Sequence, residues 1–269
     1  MHPHSRTEWI NCLQLRLCFS GLVREELELD RGSQTELQQV GNVWVVAGFE
    51  PDASIELFVT VLSDPTLGAV VFDAAGDIVL ASDNAAAMLL GPGSLGKSLV
   101  GGAWKQNLPP RVVDDRLDAA EHVRATGSTM IDRTVWFGRQ LVTRSAPMNS
   151  GDRASPVLAI FRWHRGELDL RAEVVRYTDF THLGFLSALS RSELRVLAML
   201  GQGYEAAEIA TIQSRSKKTI NRHLDALRRK LGTHRSTKLA LIAQDAGLRP
   251  EDADLPRLYG ESTPDEDDE

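Results

Sequence analysis

Residues 190–232 read "SRSELRVLAMLGQGYEAAEIATIQSRSKKTINRHLDALRRKLG", and their punctuation decides the fold of the C-terminal third. Ser190 followed three residues later by Glu193 is a capping box, in which each side chain satisfies a free amide at the start of a helix. Leu194, Val196, Leu197 and Leu200 then recur at helical spacing, and Gly201 breaks the run. A short helix is expected over "EAAEIATI" and a turn over "QSRS". Ser216 is placed to cap "KKTINRHLDALRRKLG", where Ile220, Leu224, Leu227 and Leu231 make one apolar stripe and Gly232 ends the helix. Beyond it, "STKLALIAQDAG" offers Leu239, Ile242 and Ala246 as a packing face. Two short helices joined by a tight turn, the second rich in cations, describe a helix-turn-helix.

Charge points the same way once it is read locally. The 269-residue chain has a formal net charge of -7, which by itself argues against a nucleic-acid partner. Between Phe185 and Leu248, however, eleven Lys and Arg stand against five Asp and Glu. Such a concentration is the electrostatic footprint of a phosphate-binding surface. A charge run is usually no more than a solvated helix face; here it coincides with caps, a turn and Gly232. The acidity sits elsewhere: Glu251 to Glu269 holds nine acidic residues and one Arg. That tail, 249–269, is expected to be disordered.

The C-terminal residues resemble the LuxR-type helix-turn-helix, also called the GerE or NarL/FixJ output domain. The resemblance is carried by Leu189, Ser190, Glu193, Val196, Leu197, Gly203, Glu208, Ile209, Ala210, Ser216, Lys218, Thr219, Ile220, His223, Leu227, Lys230, Leu231 and Gly232, correctly spaced over about 60 residues. It implies an all-α four-helix domain over 185–248 that binds double-stranded DNA, with the N-terminal part of "KKTINRHLDALRRK" in the major groove. By position, Asn221, Arg222 and Asp225 face the bases, while Lys217, Lys218 and Thr219 meet phosphate. His223 and Arg229 complete the expected DNA-binding set, His223 as a structural or phosphate-facing group. Asn can read adenine and Arg guanine through paired hydrogen bonds. Asp225 departs from the basic or polar residue usual there, and can only accept from cytosine or repel phosphate.

The turn departs as well. Where the family usually places Leu, Gly and Ile before the recognition helix, this chain has Gln213, Ser214 and Arg215. Two core anchors are lost, and Ile212 is the residue placed to compensate. Because such a domain reads one half-site, the resemblance also implies a homodimer on a pseudo-palindromic operator. A different class of function stays open beside it: a protein-interaction adaptor whose helix-turn-helix has degenerated at this turn.

The preceding residues are mixed α and β. "LGAVVFDAAGDIVLASD" reads as a hairpin turning at Ala75 and Gly76, and "NAAAMLLG" as a short helix. "RVVDDRLDAAEHVRATG" carries a helical stripe of Val112, Val113, Leu117, Ala120 and Val123. "TMIDRTVWFGRQLVTRSAPM" and "SPVLAIFRWH" follow as two or three strands. Upstream, "ASIELFVTVLSD" suggests a helix over 53–64, "NVWVVAGF" a strand, and "TEWINCLQLRLCFSGLVREEL" a further helix. This order, with "GAVVFDAAGDIVLASDNAAAMLLG" and "LGKSLVGG", resembles a PAS domain over about residues 55–165, a small antiparallel sheet with flanking helices. The resemblance implies a sensory or dimerisation domain and leaves room for a small-molecule ligand. The expected architecture is α+β: an unassigned 1–50, a PAS-like 51–165, a linker over 166–184 and the helical output domain. From Arg165 to Ala188, Leu168, Val175, Phe180 and Leu183 are spaced for an amphipathic helix or a dimer seam, while "LDLRAEVV" is also readable as a strand.

Several sharper chemistries are weighed and set aside. "GPGSLGKS", residues 91–98, fits the G-x-x-x-x-G-K-[ST] phosphate loop letter for letter. That loop needs a buried strand leading in and a helix leading out. Here the lead-in "DNAAAMLL" is helical, and the lead-out "LVGGAWKQNLPP" is too rich in Gly and Pro. No enzyme activity is expected. His122, on the longer helix, is more simply an exposed side chain than a haem ligand. Cys12 and Cys18 lie outside the PAS-like region, which argues against a flavin photosensor, and their spacing suits no zinc site. Asp73 after "AVVF" belongs to the hairpin rather than to a phosphoryl-accepting receiver. "INCLQLRLCFSGLV" is interrupted by Arg16 and is neither a signal peptide nor a membrane span. The protein is expected to be cytoplasmic, with no cofactor and no metal.

Overall fold

A computed structural model of the chain describes residues 23–28, 34–46, 64–149, 154–166 and 175–259. Cys12 and Cys18, and the helix expected over 53–64 apart from Asp64, lie outside them. The architecture is α+β, as the sequence pattern predicts.

One mixed sheet carries all nine described strands: β1 (Val23–Glu28), β2 (Gln34–Val40), β3 (Val43–Val46), β4 (Leu67–Phe72), β5 (Ile78–Ser82), β6 (Met130–Trp136), β7 (Arg139–Pro147), β8 (Val157–His164) and β9 (Val175–Tyr177). Their order is β1-β2-β3-β5-β4-β8-β7-β6-β9, antiparallel throughout except for the β6–β9 pair. The expected β4–β5 hairpin forms because Asp73 Oδ1 accepts the amides of Ala75 and Asp77, both at 2.9 Å, shaping the turn from its first residue. Helices α1 (Asp83–Leu90), α2 (Ala103–Asn107) and α3 (Pro110–Thr126) then cover one face of the sheet. The stripe read from sequence is the side of α3 that packs, with Val112, Val113, Ala120 and Val123 buried. Phe72 and Trp104 meet edge-on at 5.4 Å in this core, beside Trp136 and Phe161.

Strands from the unassigned residues 1–50 join the sheet, β3 among them as expected from "NVWVVAGF". β2 and β3 continue it through the pairs Val43↔Ser82, Trp44↔Ala81 and Val45↔Leu80, so the sheet begins before residue 51. Residues 23–28 are strand rather than the end of the expected N-terminal helix. β1 and β2, VREELE and QTELQQV, are missed because they carry too few apolar residues for an alternation to show.

Four further helices follow: α4 (Arg191–Gly201), α5 (Ala206–Ile212), α6 (Lys217–Lys230) and α7 (Ser236–Ala246). They close a second core, to which the sheet contributes Val135. Trp136, the next residue on the strand, belongs to the first core. Alternation along β6 therefore places one neighbour in each core and joins the two domains.

The segment expected to be a linker, 166–184, is built into the sheet on its described side. β9 runs parallel to β6, and Arg176 bridges Asp132 on β6 and Asp115 on α3. Phe180 and Leu183 are fully buried. The expected disordered tail also needs correction over 249–259. Pro250–Asp254 forms a 3-10 helix, and Asp252, 1% exposed, makes two 2.8 Å hydrogen bonds with Arg133 of β6, itself 2% exposed. A buried charge demands a partner, and this carboxylate answers a guanidinium 119 residues upstream. Arg257 then donates to the carbonyls of Ser187 and Leu189 at 3.0 and 2.9 Å. Residues 260–269 are outside the described set.

Candidate nucleic-acid interface

The start of each helix in the C-terminal domain is set locally. Ser190 Oγ accepts the Glu193 amide at 3.2 Å, and Glu193 Oε2 accepts the Ser190 amide at 2.7 Å, which completes the capping box. Glu205 and Glu208 form a second box on α5. Ser216 Oγ accepts the Thr219 amide at 3.1 Å and starts α6. Ile220, Leu224 and Leu227 then bury the stripe that seats this helix. Each fully buried aliphatic side chain stabilises by about 1.5–3 kcal/mol, more than an exposed ion pair supplies.

The unusual turn keeps the backbone of a helix stop. The Arg215 amide donates to Ala210 O at 2.9 Å and the Ser214 amide to Thr211 O at 3.1 Å, with Ser214 at φ +53°. α4 ends on the same pair of bonds, but there the left-handed residue is Gly203. Ile212 does not replace the missing anchors, since it is 55% exposed. Gln213 takes part of that role, directing Nε2 to the Met199 sulfur at 3.3 Å.

Opposite the buried stripe, Lys218, Asn221, Arg222, Asp225 and Arg229 fall on one exposed face of α6, with Lys217 beside them. Lys217, Lys218 and Arg229 have no side-chain partner among the described residues. Thr219 is half-buried, its hydroxyl 2.9 Å from that of Ser216. His223, expected as a structural or phosphate-facing group, is buried with Ile220, Leu224 and Leu227 on the packing side. Asp225 Oδ1 accepts from Arg228 Nη1 at 2.6 Å, and Arg228 Nη2 donates to Ser236 Oγ at 2.8 Å. Lys230 is drawn off the surface set by Glu193, at 2.7 Å, which ties the end of α6 to the start of α4. Sequence reading missed the role of Arg228, although its i, i+3 spacing from Asp225 is a usable signal.

Residues 187–243 match the family model for bacterial regulatory proteins of the luxR family. They form a LuxR-type helix-turn-helix domain. Similar solved structures are more distant. VqmA of Vibrio cholerae, in complex with ligand and DNA, is 18% identical over 75% of this chain and 92% of its own, at a TM-score of 0.43. SdiA of Escherichia coli is 15% identical over 74% and 94%, at 0.22. A domain of an HTR-like protein from Haloarcula marismortui is 20% identical over 37% and 98%, at 0.32. The chain matches none of the curated proteins compared with it.

Outside the LuxR-type domain, the phosphate-loop pattern has a different use. The Gly96 amide donates to Asp83 Oδ1 at 2.8 Å, and Trp44 Nε1 donates to the same oxygen at 3.1 Å. A Cβ on Gly96 would lie 2.4 Å from the Ala81 carbonyl oxygen, so the glycine serves close packing. Lys97 Nζ lies over the Trp44 ring, 5.3 Å from its centroid. α1 leads into this loop, and a 3-10 turn, Gly96–Ser98, ends it. Through Trp44, Asp83 and Lys97 thus fasten β3 to α1 and to this loop.

A cleft of about 480 Å³ opens beside the β6–β7 turn, lined among others by Leu89, Leu108, Trp136, Phe137, His182 and Tyr259. Its rings pack closely at tilted angles, with His182 4.3 Å from Phe137 and 4.8 Å from Tyr259 between centroids. Burial holds the His182 imidazole below its ordinary pKa and pushes the Tyr259 phenol up. Both rings are therefore neutral at pH 7. The Trp136 indole N–H has no partner among the described residues. His122 is exposed on α3, away from this lining. No group of three His, Cys, Asp or Glu among the described residues is arranged to hold a metal.

Proposed function

We propose that the chain is a cytoplasmic transcriptional regulator, in which a PAS-like domain governs a LuxR-type helix-turn-helix bound as a homodimer to double-stranded DNA. The observation that carries this reading is α6: one face seated in a core, the other presenting Lys217, Lys218, Asn221 and Arg222 to solvent. Amide and guanidinium groups can read base edges in the major groove, while lysines on the same face meet phosphate. The PAS-like assignment is supported by the order of the hairpin, the helices and the three returning strands. The neutral, aromatic cleft supports a small-molecule input, and no catalytic step is assigned. No described helix is long and apolar enough to cross a membrane.

The test is binding of the full chain to pools of random duplexes at several salt concentrations. Enrichment of a pseudo-palindrome is expected. Lys217→Ala should weaken all sequences about equally and reduce the salt slope by about 1, whereas Arg222→Ala should relax the preference at one position. Weak, salt-sensitive binding with no enriched sequence would sink the regulator reading. Retention of protein partners without DNA would instead favour the adaptor.

A further inference from the structure

We infer that Asp225 reads a cytosine in the operator, its carboxylate held and neutralised for that contact by Arg228, which Ser236 anchors. The inference rests on the DNA-binding reading above and specifies one column of the site. Asp225 sits within the exposed face of α6, one turn beyond Asn221 and one turn before Arg229. A bare carboxylate there would be repelled by phosphate. This one is not bare: Arg228 binds Oδ1 at 2.6 Å and is itself anchored on Ser236 at 2.8 Å.

That arrangement leaves Oδ2 without a partner among the described residues. It also sets the two charges at different depths, since the Asp225 side chain is 71% exposed and that of Arg228 is 29% exposed. The acceptor faces outward while the cation is tucked toward α7. In the major groove, guanine presents only acceptors to such an oxygen, and thymine an acceptor and a methyl group. Adenine offers its amino group beside the N7 lone pair, which opposes a second carboxylate oxygen. Cytosine offers the N4 amino donor with no acceptor at its side in the groove. Cytosine is therefore the base this geometry selects.

The experiment compares full-length wild type with Asp225→Asn in selection from random duplexes at fixed salt. Wild type should show one C·G column with discrimination of about tenfold. Asp225→Asn should shift that column to A·T, because an amide pairs with adenine, and leave the others unchanged. An unchanged column, accompanied by a uniform gain in affinity, would mean that Asp225 merely repels phosphate, and would overturn the inference while leaving the regulator reading intact. A wild type that enriches nothing removes both. Ser236→Ala supplies an independent readout: loss of the cytosine preference alone supports the anchoring role, and an unaltered column counts against it.

Discussion

Ser214 occupies a left-handed conformation that its Cβ resists, at the point where the chain turns from α5 into α6. The cost of that conformation for an L-residue is roughly 1–2 kcal/mol, partly offset by the greater freedom glycine has when unfolded. Ser214→Gly should therefore stabilise the protein by about 0.5–1 kcal/mol, seen as a higher urea midpoint at unchanged slope. Ser214→Ala, which keeps the Cβ, should give no gain. A lower midpoint for the glycine variant would show that the serine hydroxyl contributes more than the strain costs. The sequence marks this turn as altered, and two of its three residues lose an apolar role as expected. What it does not show is that the hydrogen bonds of the helix stop survive, because these are made by amides and carbonyls that any residue carries.

Among the elements, those with local signals were the legible ones. The Ser190–Glu193 box, the Ser216 cap and the stop at Gly232 are complete within one turn of chain, so α4 and α6 could be placed from sequence. The burial of His223 was legible too, since its spacing from Ile220 and Leu227 puts it on the apolar side, the structural of the two roles expected for it. The start of β9 stayed open between helix and strand, and the 3-10 helix at Pro250–Asp254 was not legible, because what orders them is distant: β6 for the first and Arg133 for the second. The segment after β9 crosses the β6–β7 turn at His182, whose amide donates to Val135 O at 2.9 Å. Its ring is buried, so the folded form refuses a proton that the unfolded chain accepts below about pH 6.5. Stability should then fall as pH is lowered through about 6.5 and level off below the folded-state pKa. Urea midpoints between about pH 7.5 and 5.5 check this: His182→Gln should flatten that part of the slope, and identical slopes would refute it.

At the scale of the molecule, the contact between the sheet and the LuxR-type domain is buried and polar. Arg133 binds Asp252, Gln140 and the Gly247 carbonyl, and Gln140 donates to Gly166 O at 2.8 Å. A Cβ on Gly247 would lie 2.3 Å from Gln140, so the end of α7 sits flush against β7. Asp252→Ala should cost about 3–5 kcal/mol by leaving Arg133 buried and unpaired, measured as a large drop in the denaturation midpoint. Replacing Arg133 and Asp252 together with apolar residues of similar volume should recover most of that loss. If the single and double variants lose equally, the charge pair is not what the fold depends on.

This flush seat has a consequence for the DNA. A reading head on a loose tether can swing to meet half-sites at many separations. One clamped to its own sheet by Arg133 and Asp252 has no slack, so in a homodimer the angle between the two heads is fixed by how the remaining parts of the protomers meet. An insertion of about five base pairs between half-sites turns the second one to the far side of the duplex. If the protein binds as the proposed homodimer, the operator must keep helical phase, and its spacing becomes a property of the folded protein as much as its sequence does.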